Sequence, residues 1–247
     1  MQKNKTVQIK SAIVVALIAI LACGCSVRSI SDSGYKEPYG YGREPSAQGL
    51  YKGELTEFDI LGISAETGAS QEEIAKALDA RERLTLPKGS SVMLIQSGAM
   101  IPDEAMVKAL EKYYGVAVFS GVPEESGGKN YSTALRMAAA RGGHEKMVVY
   151  WGLLETAKKG LGTKAVSWVP IVGGAIPDED QEMRIRLKVA VVDVRSGQWD
   201  MFSPEPFGDS ALSGRHNREA ADQRQVGLLK ALAYEAAAED LVKRYSK

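Results

Sequence analysis

The chain has 247 residues, a formal charge of zero and an ordinary globular composition, with 45% hydrophobic and 25% charged residues. That length can bury a full core as one domain, and the composition excludes collagen-like, coiled-coil and wholly disordered classes. Met1–Cys25 carries Lys3, Lys5 and Lys10 and no acid, so removing it takes the charge from 0 to −3, and a weakly acidic remainder lacks the basic field of a general nucleic-acid binder.

Met1 to Lys10 is basic and Ala12 to Ala22 is wholly apolar, the layout of a secretory signal. The apolar run is shorter than the roughly 20 residues that span a bilayer comfortably. It ends in Ile20-Leu21-Ala22-Cys23-Gly24-Cys25, which resembles a bacterial lipoprotein lipobox. The resemblance implies that one cysteine is lipidated and becomes the new N-terminus. Two frames fit. Cys23 has Ile20 three places before it and Ala22 one place before; Cys25 has Ala22 and Gly24. The large aliphatic residue favours Cys23. The alternative is an ordinary secretory signal with two incidental cysteines. No Asp follows either cysteine. By the enterobacterial sorting rule this implies a lipid-anchored (palmitate-bearing) outer-membrane protein with its domain facing the periplasm. Past residue 25 the chain has no cysteine, hence no disulfide, thiol nucleophile or thiolate metal site.

Residues 26–54 are rich in Gly, Ser, Tyr and Pro and show neither structural period. They are expected to be a flexible tether with an r.m.s. span on the order of 30 Å. The rival reading is that Tyr35, Tyr39, Tyr41 and Tyr51 contact a glycan or a partner groove. A single α/β domain is expected over 55–247.

Ser70-Gln71-Glu72-Glu73 is a capping box and predicts a helix with Ile74, Leu78 and Leu84 on one face, ended by Pro87-Lys88-Gly89. Val92–Ile95 predicts a strand. Pro102-Asp103 opens a helix bearing Met106, Val107, Leu110 and Tyr114, with Gly115 as its C-terminal stop. Val116–Phe119 is the next strand. Ser132 caps a helix that Gly142-Gly143 stops, and Met147–Leu154 is a third strand. This alternation predicts parallel pairing with right-handed crossovers. After a turn at Lys158–Gly162, Ala165–Ile171 predicts another strand.

Met183, Ile185, Leu187 and Val189 alternate with Arg184, Arg186 and Lys188, the period of a strand with one apolar and one basic face. Ala190-Val191-Val192 marks a half buried on both faces. Asp193–Gly197 predicts a hairpin turn and Gln198–Phe202 its return, with this hairpin at the sheet's centre. Pro204 and Pro206 bar a further central strand. From Asn217 a long helix buries Val226, Leu229, Ala233, Ala236 or Ala237, Leu241 and Tyr245. The fold class expected is α/β: a mixed sheet with a parallel βαβαβ start and an antiparallel meander, packed by helices that include a long C-terminal one.

The chemistry-bearing motifs are few. His144 and His216 are the only histidines and lie far apart in the chain. The His-Glu-x-x-His, Gly-x-Ser-x-Gly and Walker patterns are absent. Asp178-Glu179-Asp180 lacks the spaced loop that wraps calcium. No catalytic residue, cofactor site or metal site is assigned. The most unusual stretch is Trp168-Val169-Pro170-Ile171-Val172-Gly173-Gly174-Ala175-Ile176-Pro177, an apolar loop where loops are normally polar. Trp168, Val169, Ile171, Val172 and Ile176 either form a tip that docks a partner or the membrane, or fold back into the core.

Val191-Val192-Asp193-Val194-Arg195-Ser196-Gly197-Gln198-Trp199 resembles the strand-turn-strand of envelope lipoproteins with a CsgG-like or TolB-N-terminal-like fold, which penicillin-binding-protein activator lipoproteins share. The likeness implies work through surfaces, so no site residue carries over. The apolar loop departs from the pattern, and the hairpin is too short to imply a pore. The leading functional expectation is a non-enzymatic protein, held to the membrane by its N-terminal lipid, that binds another envelope component. The alternatives are a periplasmic hydrolase or peptidase without a readable motif, and a membrane-associated oligomer.

Overall fold

The computed structural model describes residues 29–31, 53–63, 70–79, 84–123, 131–159, 166–170, 183–209 and 218–247; for 156–159, 166–170, 208–209 and 218–225 only the backbone is described. Twelve elements follow in chain order: α1 (Glu57–Leu61), α2 (Gln71–Asp79), β1 (Ser91–Gln96), α3 (Glu104–Glu111), β2 (Gly115–Phe119), α4 (Tyr131–Arg141), β3 (Lys146–Lys159), β4 (Val166–Pro170), β5 (Met183–Asp193), β6 (Trp199–Phe202), β7 (Phe207–Asp209) and α5 (Arg218–Tyr245).

The strands form one seven-stranded sheet whose main order is β2-β1-β3-β5-β6, with β4 added to β3 and β7 to β5. β1 pairs parallel with both β2 and β3, and every other pairing is antiparallel. A parallel start followed by antiparallel additions is therefore the observed architecture, as expected. The centre is placed differently: β3 lies in the middle of the order, and β6 is an edge strand. β3 is also longer than its apolar core suggests, because Lys158 and Lys159 continue it where a turn was expected.

Helices cover both faces. On one, α3 and α5 bury Met106, Leu110, Leu229, Tyr234 and Leu241 against Val92, Leu94, Tyr150, Ile185 and Leu187. On the other, Ile60 of α1 and Leu135 and Ala139 of α4 pack on Met93, Ile95, Val149, Ala190 and Val192. The period of two in β5 sets this division, and Val189–Val192 is buried on both faces. On α5, Val226, Leu229, Ala233, Ala237, Leu241 and Tyr245 are all buried.

Three local expectations are corrected. The capping box forms, with the Glu73 N–H donating to Ser70 Oγ at 3.1 Å and the Ser70 N–H to Glu73 Oε2 at 2.8 Å. Yet α2 buries none of its side chains, and Ile74 and Leu78 are exposed. Periodicity and capping make a helix; burial also needs a receiving surface, and α2 buries none of its residues. Gly115 belongs to β2 and is opposite Ser91, because the N–H groups of Tyr113 and Tyr114 already close the end of α3 on the Leu110 carbonyl. Ser132 lies inside α4, buried, and is not its cap.

The hairpin turn after β5 forms as expected. The Asp193 N–H donates to the Gln198 carbonyl at 2.8 Å, and Gly197 has φ 75°, in the left-handed region.

Candidate functional site

β3 presents one long edge, and three separate pieces of chain cover it. β1 pairs with Lys146–Tyr150 and β4 with Glu155–Lys159. Between them Ser29 bridges Leu153 in antiparallel fashion, and the Ile30 N–H donates to the Gly152 carbonyl at 3.0 Å. Ser29–Ser31, from the stretch expected as tether, thus docks on the domain through an isolated β-bridge. Ile30 is only 1% exposed. It seats on Gly152, where an added Cβ would lie 2.7 Å from Ile30 Cδ1 and 2.8 Å from Leu187 Cδ2. The missing side chain of Gly152 is the socket for Ile30.

A buried polar network closes on the same segment. Lys230 of α5 donates to the Ile30 carbonyl at 2.7 Å and to Asp103 Oδ2 at 2.9 Å. Tyr234, one turn further along α5, donates its hydroxyl to the same carboxylate oxygen. Gln96, the last residue of β1, accepts at Oε1 from the Tyr150 hydroxyl and from the Asp103 N–H, each at 2.6 Å. Its amide nitrogen donates to Ser31 Oγ at 3.0 Å, and the Ser31 hydroxyl donates to the Ser97 carbonyl at 2.6 Å. The Tyr150 and Tyr234 rings meet edge to face at 5.6 Å. Burial pushes both phenols well above their ordinary pKa, with the Asp103 charge acting in the same direction, so both stay protonated donors. The groups named here bond to one another and to the N-terminal segment. Chemically, the arrangement is a latch that holds a chain segment.

The network continues outward. Ser29 donates to Glu54 Oε1 at 2.6 Å, the Leu55 N–H to Ser97 Oγ at 2.8 Å, and Trp151 Nε1 to the Leu55 carbonyl at 2.6 Å. Lys188 meets Glu57 and lies over the Trp151 ring, 5.2 Å from its centroid.

The basic face of β5 is matched by acids as well. Glu155, with its side chain 2% exposed, accepts from Arg184 Nε and Arg186 Nη2, both at 2.7 Å. At the other end of β5, Lys146 Nζ lies 2.8 Å from Asp193 Oδ2, and the Ser196 N–H and hydroxyl donate to Oδ1. Burial alone would raise the Asp193 pKa; the Lys146 and Ser196 donors outweigh it and hold the carboxyl at about 2.

Of the residues singled out by sequence, His144 lies in the turn before β3 with Nδ1 2.7 Å from Ser91 Oγ. Among the described residues no three His, Cys, Asp or Glu side chains are grouped to hold a metal ion. Trp168 and Val169 lie in β4, opposite Ala157 and Thr156. Their side chains are outside the described residues, as are Cys23, Cys25, Ile171, Val172, Ile176, Asp178–Asp180 and His216. Sequence reading missed Ile30, Gln96, Asp103, Lys230 and Tyr234. Lys230 carried a signal: it lies four residues from both Val226 and Tyr234, a cation in an apolar stripe. No helix among the described residues is long and apolar enough to cross a membrane.

Fold and site together define an α/β domain with helices on both sheet faces, whose buried polar latch grips its own N-terminal segment. The family model described as "YafT bacterial lipoprotein" matches residues 56–244, and the chain belongs to that family. It is a bacterial lipoprotein of the cell envelope. No curated protein matches it. Among solved structures it is similar to the hypothetical protein CT253 from Chlamydia trachomatis at 13% identity, over 63% of this chain and 96% of that one, with a TM-score of 0.35.

Proposed function

We propose that the protein is anchored to the outer membrane through a lipidated Cys23 or Cys25, faces the periplasm, and acts by binding another envelope component in an accessory or assembly role. The observation that carries this reading is the lipobox-like sequence Ile20–Cys25, N-terminal to a domain of the lipoprotein family. The polar latch supports action through a surface, since its groups are engaged in holding chain to chain. The likeness of the Val191–Trp199 hairpin to CsgG-like and TolB-N-terminal-like domains points the same way. The contact surface assigned to the partner is Trp168, Val169, Ile171, Val172 and Ile176.

Palmitate labelling in cells tests the anchor. The Cys23→Ser/Cys25→Ser double variant is expected to lose the label and accumulate as precursor, and the single variants identify the acylated residue. Normal processing of the double variant would refute the anchor. Cross-linking in intact cells then tests the binding role. A specific adduct is the expected result; turnover of peptides or glycans by the purified protein, without an adduct, would favour the hydrolase reading.

A further inference from the structure

Outside the latch, the exposed large apolar side chains among the described residues include Ile74 and Leu78 on α2, and Met100, Ile101 and Phe119 at the carboxyl ends of β1 and β2. The α2 face of Ile74 and Leu78 has nothing beside it that indicates an occupant. The carboxyl end of β1 does. Its loop exposes Met100 by 54% and Ile101 by 75%, and Phe119 at the adjoining end of β2 is also exposed. The two strand ends are tied together, with the Gly98 N–H donating to the Gly121 carbonyl at 2.9 Å and the Gly121 N–H to the Ala99 carbonyl at 2.8 Å. Ser31 docks on this same end, through Ser97 and Gln96.

We infer that the loop carrying Met100 and Ile101 lies against the lipid surface that holds the anchor. The inference rests on the lipidation proposed above. From Cys25 to Ser29 is four residues and from Cys23 six, a reach of at most about 14 or 21 Å. A domain of this size is roughly 40 Å across. The latch therefore keeps the bilayer surface within about half a domain diameter of Ser29, whereas a free connection from Cys25 to Leu55 would let the domain wander. Met100 is three residues from Ser97, hence within about 11 Å of the residue on which Ser31 docks. A short leash next to exposed aliphatic side chains selects the bilayer itself as their occupant. The amino end of β1, with exposed Lys88, is about 20 Å away along the strand and faces water.

The test uses the full lipidated chain in vesicles of phosphatidylethanolamine and phosphatidylglycerol, with an introduced cysteine as its only free thiol. Spin labels are placed at Ile101→Cys or Lys88→Cys, and acylation is verified by mass. The label at 101 is expected to collide more with oxygen than with a water-soluble nickel complex, and the label at 88 the reverse. Adding Ile30→Asp, which unseats the latch, is expected to return the 101 label to the aqueous pattern. An acylated chain whose 101 label is as aqueous as its 88 label overturns the orientation while leaving the anchor intact; that is also the result if this loop docks a protein. Absence of the acyl mass removes the anchor, and the orientation with it.

Discussion

Lys230→Met is the most direct probe of the latch. Methionine keeps the length and apolar stem of lysine, so little packing is lost, but it donates nothing. Two partners are left behind. The Ile30 carbonyl, on a residue 1% exposed, loses its charged donor, and a hydrogen bond to a charged group is worth about 1.5–3 kcal/mol. The Asp103 carboxylate keeps Tyr234 and is partly open, with its side chain 29% exposed, so its loss belongs at the low end of the roughly 1.5–3 kcal/mol for a hydrogen bond between charged groups. A total near 3 kcal/mol follows, which for a domain of this size lowers Tm by about 6–12 °C. Urea unfolding, followed by tryptophan fluorescence, measures it. The Lys230→Met/Asp103→Asn pair is expected to lose less than the sum of the single changes, because both touch one bond. A Lys230→Met variant within about 0.5 kcal/mol of the parent, at unchanged m, would refute the latch.

Three further outcomes are expected. Asp193 has a folded pKa of about 2 against an ordinary 3.8, so its contribution is present above pH 4 and fades as pH falls toward 2; the stability gap between parent and Asp193→Asn should shrink over that window in urea titrations. Gly197→Val forces a β-branched residue to φ 75° with its Cβ 2.8 Å from Arg136 Nη1, and should cost about 1–3 kcal/mol by denaturant midpoint, with Asn at this position costing less. Ile171→Ser with Ile176→Ser should leave the melting temperature nearly unchanged and weaken partner capture; a loss of several kcal/mol would make these residues packing.

What could be read from sequence was whatever local periodicity encodes. β5 was legible because four aliphatics and three cations alternate, and α5 because its apolar stripe persists over many turns. The Asp193–Gly197 turn was legible because Asx and glycine chemistry are local. The latch was not, because its parts are Ile30, Gln96, Asp103 and Lys230, and no short window contains them. Ser29–Ser31 is three residues long, too short to show a period. α1 was missed although Thr56-Glu57-Phe58-Asp59 is itself a capping box, formed with both reciprocal bonds. Ile74 and Leu78 show the opposite failure: an amphipathic signal on a helix that buries none of its side chains.

The bond from Lys230 to the Ile30 carbonyl joins residues 200 positions apart. Closing a loop of that length costs on the order of 5 kcal/mol of chain entropy before the contact returns anything. The N-terminal segment is therefore expected to settle last during folding and to detach first, which φ-values near zero at Ile30 would check. Amide exchange at Ile30 should be faster than along the middle of β3. For an exported chain this order has a benefit. The segment beside the cysteines is expected to stay undocked until α5 has been made and packed, so that the acyl transfer and signal cleavage proposed above would act on an open segment before the finished domain reels it in.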